Sequence, residues 1–384
     1  MIPYGRHDVD EADIEAVREV LTSDRLTQGP AVERFERDLT SLTGAAEAVA
    51  VSSATSALHI ACLALDLGPG DRLWTVPNTY VASANCALYC GADVDFVDID
   101  PTSLNMSAPS LAERLEAARS DNRLPKVVVP VHFAGLACDM RAIHELSQRY
   151  GFRIVEDASH AIGGAYDGGP VGDCRYSDIT VFSFHAVKVV TTGEGGAAMT
   201  NDPALAERMR RLRSHGVTRD ESLMRGQSDG PWYYQQIDLG FNYRMTDIQA
   251  ALGSSQLRRL LAMVDRREAL ADRYDRLLAG ISVITPARAR DTRSAWHLYV
   301  VQLAEGANRD RRSVFEELQQ AGVGVNVHYI PVHLQPYYAG LGFRPGDFPN
   351  AEAYYAKALT LPLFPRMSEA DQDHVVTSLT AALA

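Results

Sequence analysis

The chain has 384 residues, a mass of 42.0 kDa, a formal net charge of −12 and a pI near 5.4. So acidic a balance argues against nucleic acid or an anionic membrane as partner. With 46% hydrophobic and 22% charged residues it reads as a soluble globular protein, and its length predicts two domains.

Seven short apolar or β-branched runs occur in the first 200 residues: "AVAVS" (48–52), "RLWTV" (72–76), "VDFVD" (94–98), "KVVVPV" (126–131), "RIVED" (153–157), "ITVFSF" (179–184) and "GAAMT" (196–200). Most are continuous rather than alternating, as expected of strands buried on both faces. Helical patterns separate most of them: "TSALHIACLAL", "VASANCALY" and "MRAIHELSQRYG". Such alternation predicts an α/β fold with a mostly parallel, helix-covered sheet. The last two runs are joined by too short a loop for a crossover helix, so one strand there is expected to be antiparallel. A long helical stretch, "FNYRMTDIQAALGSSQLRRLLAMVDRREALADRYDRLLAGI", then leads into a smaller C-terminal α+β unit holding "WHLYVVQL", "SVFEELQQAG", "VGVNVHYI" and "EADQDHVVTSLTAAL". The expected division is 1–250 and 251–384. No run approaches the roughly 20 apolar residues of a membrane span. The opening "MIPYGRHDVDEADIEAVREVL" lacks the basic and apolar regions of an export signal. Cys62, Cys86, Cys90, Cys138 and Cys174 contain no CxxC pair and read as free thiols of a reducing cytoplasm.

Lysine is almost absent: only Lys126, Lys188 and Lys357, against 34 arginines. An amine can lose its proton when buried and condense with a carbonyl, which a guanidinium cannot do. In an α/β sheet, ligands bind beyond the carboxyl ends of the strands, and three informative clusters fall there. The first strand runs into "SSATSALHI", where Thr55 and Ser56 would open a helix whose free N–H groups suit a phosphate. The fifth ends in "VEDASHAIGG", with Asp157 closing a β-branched run. The sixth delivers Ser183, His185 and Lys188 ahead of "TTGEGG". A Schiff-base lysine, a carboxylate for a ring nitrogen and a phosphate anchor are what pyridoxal 5′-phosphate (PLP) requires. No GxxxxGK[ST] occurs, and no GxGxxG follows the first strand, so an NTP or dinucleotide site has little support.

Ordered motifs run nearly end to end: "LTQGPAVERFE", "SSATSALH", "PNTYVASAN", "DIDP", "PVHFAG", "VEDASHAIGG", "SFHAVKVVTTGEGG", "SHG", "LGFNYRMTDIQAALG" and "HYIPVH". This series resembles the sugar aminotransferase family named for DegT, DnrJ, EryC and StrS, fold-type I PLP-dependent transferases. Lys188 stands where the family's dehydratases carry His. Further stretches, "IPYGRHDVDEADI", "GPWYYQQIDLGFNYRMTDIQAALG" and "VNVHYIPVHLQPYY" among them, resemble the branch acting in pseudaminic acid biosynthesis.

The resemblance implies that Lys188 forms the Schiff base and shuttles the proton, and that Asp157 pairs with the pyridine nitrogen. Tyr80 would stack on the ring, His160 would stand near its 3-hydroxyl, and Thr55, Ser56 and Ser183 would hold the phosphate. Asn242 would reach the phosphate of a neighbouring subunit, making a homodimer. Tyr4, Gln28, His328, Tyr329 and His333 are substrate-side candidates by position. The implied reaction moves an amino group from L-glutamate, leaving 2-oxoglutarate, to C4 of a UDP-linked 4-keto-6-deoxy-2-acetamido sugar. The alternatives are a perosamine- or viosamine-type 4-aminotransferase and a non-catalytic PLP-binding regulator.

Overall fold

The computed structural model describes residues 1–121, 123–306 and 309–384. All seven expected strands form, as β1 (Glu47–Val51), β2 (Arg72–Thr75), β3 (Asp93–Phe96), β4 (Val127–Val128), β5 (Arg153–Asp157), β6 (Ile179–Ser183) and β7 (Gly196–Thr200). They make one sheet in the order β1-β7-β6-β5-β4-β2-β3. Every pairing is parallel except those of β7, which runs antiparallel to both β1 and β6. The cause is the one the sequence suggested: the segment between Ser183 and Gly196 holds no helix, so the chain turns back beside the strand it has just left.

The helices of the first part are α1 (Glu11–Leu21), α2 (Pro30–Thr43), α3 (Ala54–Ala64), α4 (Ala82–Tyr89), α5 (Ala108–Ser120), α6 (Met140–Tyr150) and α7 (Pro203–Arg213). α3 is apolar nearly all round and almost wholly buried, as a helix packed between a sheet and other helices must be. Its N-terminus comes close to the start of β7. A Cβ on Gly196 would lie 2.5 Å from Ala54 N and 2.5 Å from the Ser53 carbonyl carbon, so only glycine permits this approach.

The long helical stretch is two helices, α8 (Asp247–Leu257) and α9 (Leu260–Leu277), broken at Arg258–Arg259. α8 buries a run of small residues, among them Ala250, Ala251, Gly253 and Ser254, against α1 and α2. Asp247 at its start accepts hydrogen bonds from Gly29 N (2.8 Å) and Ala31 N (2.9 Å), capping α2, whose own N-cap is a glycine without a side chain to do it. Along α9 the burial changes partners. Leu260, Met263 and Val264 join the core around Phe35 and Phe184, whereas Leu270, Ala271 and Tyr274 join the core around Tyr299, Val301 and Leu379.

That second core covers a three-stranded antiparallel sheet of β8 (Val283–Ile284), β9 (Tyr299–Leu303) and β10 (Ala358–Leu361), with α10 (Arg311–Gln320) and, after the short α11 (Pro336–Ala339) and α12 (Pro349–Lys357), whose Tyr338 and Tyr354 join the core of the large sheet instead, the closing α13 (Glu369–Leu383). "VGVNVHYI" does not form a strand; it makes two isolated bridges, Val323 to Ile2 and Asn326 to Thr360. The chain start threads into the same region, with Ile2 bridging Val323 and the Tyr4 carbonyl accepting from Leu363 N at 3.1 Å. Arg267 of α9 is fully buried, and its Nη1 donates to the carbonyls of Trp296 (3.1 Å), His297 (3.4 Å) and Leu363 (3.0 Å). Its burial pulls the guanidinium down to about 10, against the charge of Asp8. No helix among the described residues is long and apolar enough to cross a membrane.

Candidate active site

A cavity of about 880 Å³ opens at the carboxyl ends of β1, β5 and β6, where the sheet topology leaves backbone groups free. The α3 N-terminus forms one wall. Ser53 caps the helix, its Oγ accepting from Ser56 N at 3.1 Å. Ala54 and Thr55 line the cavity, and the N–H groups of this first turn lie outside the intrahelical ladder. Ser183, at the end of β6, faces the same space. This wall suits a dianionic phosphate by dipole and by donors.

Lys188 follows β6 in a tight turn, its backbone N donating to the His185 carbonyl at 2.9 Å. The side chain is half-buried at the cavity wall. Loss of water pulls its ammonium down to about 8, while the charge of Asp157 pulls the other way. Among the described residues no hydrogen bond or ion pair within 4.0 Å engages its Nζ. A lysine so placed is held ready to be an amine.

Asp157 ends β5, buried, with Oδ1 accepting from Ser159 N (3.1 Å) and Oδ2 from Ser83 Oγ (2.6 Å). Its neighbour Glu156 points to the other face of the strand. There it accepts from Thr180 Oγ1 (3.0 Å) and Ser177 Oγ, and pairs with His132 Nε2 (2.7 Å). Two adjacent carboxylates thus have different surroundings: Glu156 is enclosed by protein donors and Asp157 opens onto the cavity.

His160 Nδ1 accepts from Ala134 N (3.3 Å), and Nε2 lies 3.1 Å from Tyr329 Oη. An imidazole that accepts at Nδ1 carries its proton on Nε2, so His160 donates to the Tyr329 oxygen and leaves that hydroxyl's own proton free. Burial, then the charges of Lys188 and His328, hold His160 neutral well below the usual histidine range. His297, whose ring centroid lies 4.5 Å from that of His160, is held neutral likewise, chiefly by burial. His328 is pulled down to about 4 by burial and Lys188, with Nδ1 2.8 Å from Thr360 Oγ1. Three neutral imidazoles therefore surround one titratable amine.

Of the residues expected from sequence, Tyr4, Thr55, Tyr80, Asp157, His160, Ser183, Lys188, His328 and Tyr329 all line this cavity. Tyr80 is 62% exposed at its mouth. Four do not line it. Ser56 is buried, its hydroxyl engaged with Ser52 Oγ (3.2 Å) and Ser53 Oγ (2.9 Å). Gln28 is exposed in the turn before α2, at φ 55. Asn242 is exposed, its backbone bridging Ser214. His333 is 0% exposed, pairs with Glu352 Oε1 at 2.9 Å and packs edge-on to Phe348 at 4.8 Å. Its place is the interior beside Phe96, not the cavity. Conversely, Ser53, Thr79, Glu194, His297, Asn326 and Gln335 line the cavity without having been singled out. His297 had a signal, a lone histidine ahead of the apolar run that becomes β9.

Comparison with known proteins agrees with this geometry. The profile of the DegT/DnrJ/EryC1/StrS aminotransferase family matches residues 7–380. The chain belongs to that family. It is 41% identical over 382 residues to the spore coat polysaccharide biosynthesis protein SpsC of Bacillus subtilis, spanning 98% of this chain and 96% of that protein. Among solved structures it resembles the apo form of Spr1654 from Streptococcus pneumoniae, described as a sugar aminotransferase (TM-score 0.90, 31% identity, 100% of this chain and 97% of that one). Spr1654 is also known in PLP and PMP forms. It resembles Helicobacter pylori PseC, an aminotransferase of pseudaminic acid biosynthesis, equally well (TM-score 0.90, 29% identity, 100% and 99%). This family member is a PLP-dependent sugar aminotransferase of fold type I. The residues present fit the cofactor: an unpaired amine of lowered proton affinity, a carboxylate open to the cavity and a helix N-terminus stand on three sides of one space.

Proposed function

We propose that the enzyme transfers the amino group of L-glutamate to C4 of a UDP-linked 4-keto-6-deoxy-2-acetamido sugar, as in pseudaminic acid biosynthesis, and works as a cytoplasmic homodimer. The observation that carries the chemistry is the placement of Lys188, its Nζ without a partner among the described residues, on one cavity with Asp157 and the α3 N-terminus. When bound, PLP supplies a carbonyl that condenses with amines and an electron sink for the pair left by a broken C–H bond. Every other contribution belongs to the chain.

Lys188 Nζ, whose pKa burial lowers to about 8, would be the amine that holds the cofactor, and with the cofactor bound it would be the group that moves a proton at the substrate carbon. Asp157 holds a proton on the ring nitrogen. Thr55, the free N–H groups of α3 and Ser183 bind the phosphate, with Ser56 shaping the turn through its hydroxyl contacts. Tyr80 covers the ring, and its 62% exposure leaves a face for that purpose. His160, neutral and donating from Nε2, orients Tyr329, while Tyr4 and His328 bound the substrate side with ring centroids 5.5 Å apart.

Among the described residues no arginine lines the cavity and Lys188 is its only lysine, so a UDP diphosphate needs cations from elsewhere. A second subunit would supply them, and the exposed Asn242 is the residue we assign to that interface. Its counterpart would complete the phosphate site across the dimer. The five buried thiols suit a reducing compartment.

Whole-length likeness to PseC and the matching N- and C-terminal stretches support the pseudaminic acid substrate. The 41% identity to SpsC favours a second reading, a 4-aminotransferase for another nucleotide-linked keto sugar. Incubation with L-glutamate and a panel of UDP- and dTDP-linked 4-keto-6-deoxy sugars, followed by mass analysis, separates them. Amination of the 2-acetamido L-arabino sugar alone supports the first reading. Amination of only D-xylo keto sugars establishes the second.

A further inference from the structure

Ser83 sits in the first turn of α4 and is fully buried. Its Oγ lies 2.6 Å from Asp157 Oδ2, 2.8 Å from Thr79 Oγ1 and 3.3 Å from the Tyr80 carbonyl. A serine hydroxyl has one proton to give, and an ionised carboxylate only accepts. The short contact therefore takes the Ser83 proton to Asp157, and Thr79 donates in turn to Ser83. The 3.3 Å contact back to Tyr80 is the bond an ordinary helical serine makes to its own backbone. Here it is the longer of the two, and the charged acceptor wins.

The result is a directed chain, Thr79 to Ser83 to Asp157, joining two elements 74 positions apart in sequence. With Ser159 N on the other oxygen, the carboxylate is gripped from both sides, so its plane cannot turn. Tyr80, at the cavity mouth, lies two residues before α4. One helix start thus governs both the face and the nitrogen end of whatever ring enters.

We propose that Ser83, backed by Thr79, is a positioning residue that fixes the Asp157 carboxylate toward the ring nitrogen of the bound cofactor. The inference rests on the reading that Asp157 meets that nitrogen. It does not require Ser83 to touch cofactor or substrate.

The test uses the full-length, PLP-loaded enzyme and the variants Ser83→Ala, Ser83→Thr and Asp157→Asn. Three readouts are followed: the visible absorbance of the bound cofactor against pH, its dissociation constant, and the kcat and KM of the L-glutamate half-reaction. A hydrogen bond to a charged group has a strength that corresponds to about ten- to a hundredfold in such equilibria. Ser83→Ala is expected to displace the midpoint of the absorbance titration and to lower kcat by about that factor, leaving KM within about twofold. Ser83→Thr, which keeps the hydroxyl, should restore most of both. Wild-type absorbance and kcat in Ser83→Ala would overturn the inference. So would equal damage in Ser83→Thr, since packing rather than the hydroxyl would then be at work. If Asp157→Asn itself left absorbance and kcat unchanged, the Asp157 reading would fall and Ser83 with it. If Asp157→Asn is crippled and Ser83→Ala is not, the Ser83 inference alone is lost.

Discussion

The two sides of the cavity are built from different kinds of chain. The side where we place the cofactor comes from the ends of regular elements: β5 gives Asp157, β6 and the turn after it give Ser183 and Lys188, and the α3 N-terminus gives Thr55. The side where we place the substrate comes from Tyr4 near the chain start and from the irregular run between Val323 and Gln335, which holds no strand. Strand ends are fixed by ladders of hydrogen bonds buried on both faces, so a residue's position there follows from the pattern of the strand. In an irregular run it follows from tertiary contacts that no local pattern announces. The regular elements therefore lie on the side where the cofactor is expected, and the irregular run where the sugar is expected.

Variants on the cofactor side should have the larger effects. Lys188→Arg keeps the charge but removes the nucleophile and the proton carrier, and turnover should fall by about 10⁴-fold with the melting temperature near wild type. Retained turnover would place the chemistry elsewhere. Asp157→Asn comes next, at about 10²–10³-fold in kcat, since a charge placed in a dry site is being removed. A single-turnover rate near wild type would remove Asp157 from its role.

The pH dependence probes the same side. The Lys188 value of about 8 lies below the ordinary ~10.4 of a lysine. A lowered cation is a free amine above its folded value. Loading of the apoenzyme with PLP should thus slow about tenfold per pH unit below 8 and level off above it. Between about 8 and 10.4 the unfolded chain binds the extra proton, so this group makes the apoprotein more stable as pH rises through that window. A loading rate that is flat from pH 6 to 9 would show that Lys188 is not depressed.

The substrate side should show smaller and separable effects. Tyr329→Phe removes the acceptor of His160 Nε2–H and should cost about tenfold in kcat/KM. His333→Leu should leave KM for the sugar unchanged and lower stability by about 1–3 kcal/mol, because Glu352 Oε1 loses a buried side-chain partner and keeps only Gly346 N. A sugar KM raised tenfold at unchanged melting temperature would return His333 to the site.

The sequence made the sheet legible because its strands are continuous apolar runs punctuated by turns, down to the reversal of β7. It made Lys188 legible because the chain otherwise writes arginine. It could not separate His328 from His333. Five residues apart in one motif, one faces the cavity and the other is sealed against Phe348 by tertiary packing. Ser56 misled for a local reason: the turn before α3 needs its hydroxyl. Ser83 looked like a helical serine, because its bond to Asp157 spans a distance in sequence that no spacing rule covers. The break between α8 and α9 was hidden by a helical pattern that continues across it.

The central claim is that Lys188 carries the cofactor. Borohydride reduction of the PLP-loaded enzyme, followed by peptide mass mapping, tests it directly, since only three lysines compete. Loss of the visible absorbance with the reduced cofactor found on Lys188 alone is the predicted result. Reduced cofactor on Lys126 or Lys357, or on no lysine, would contradict it.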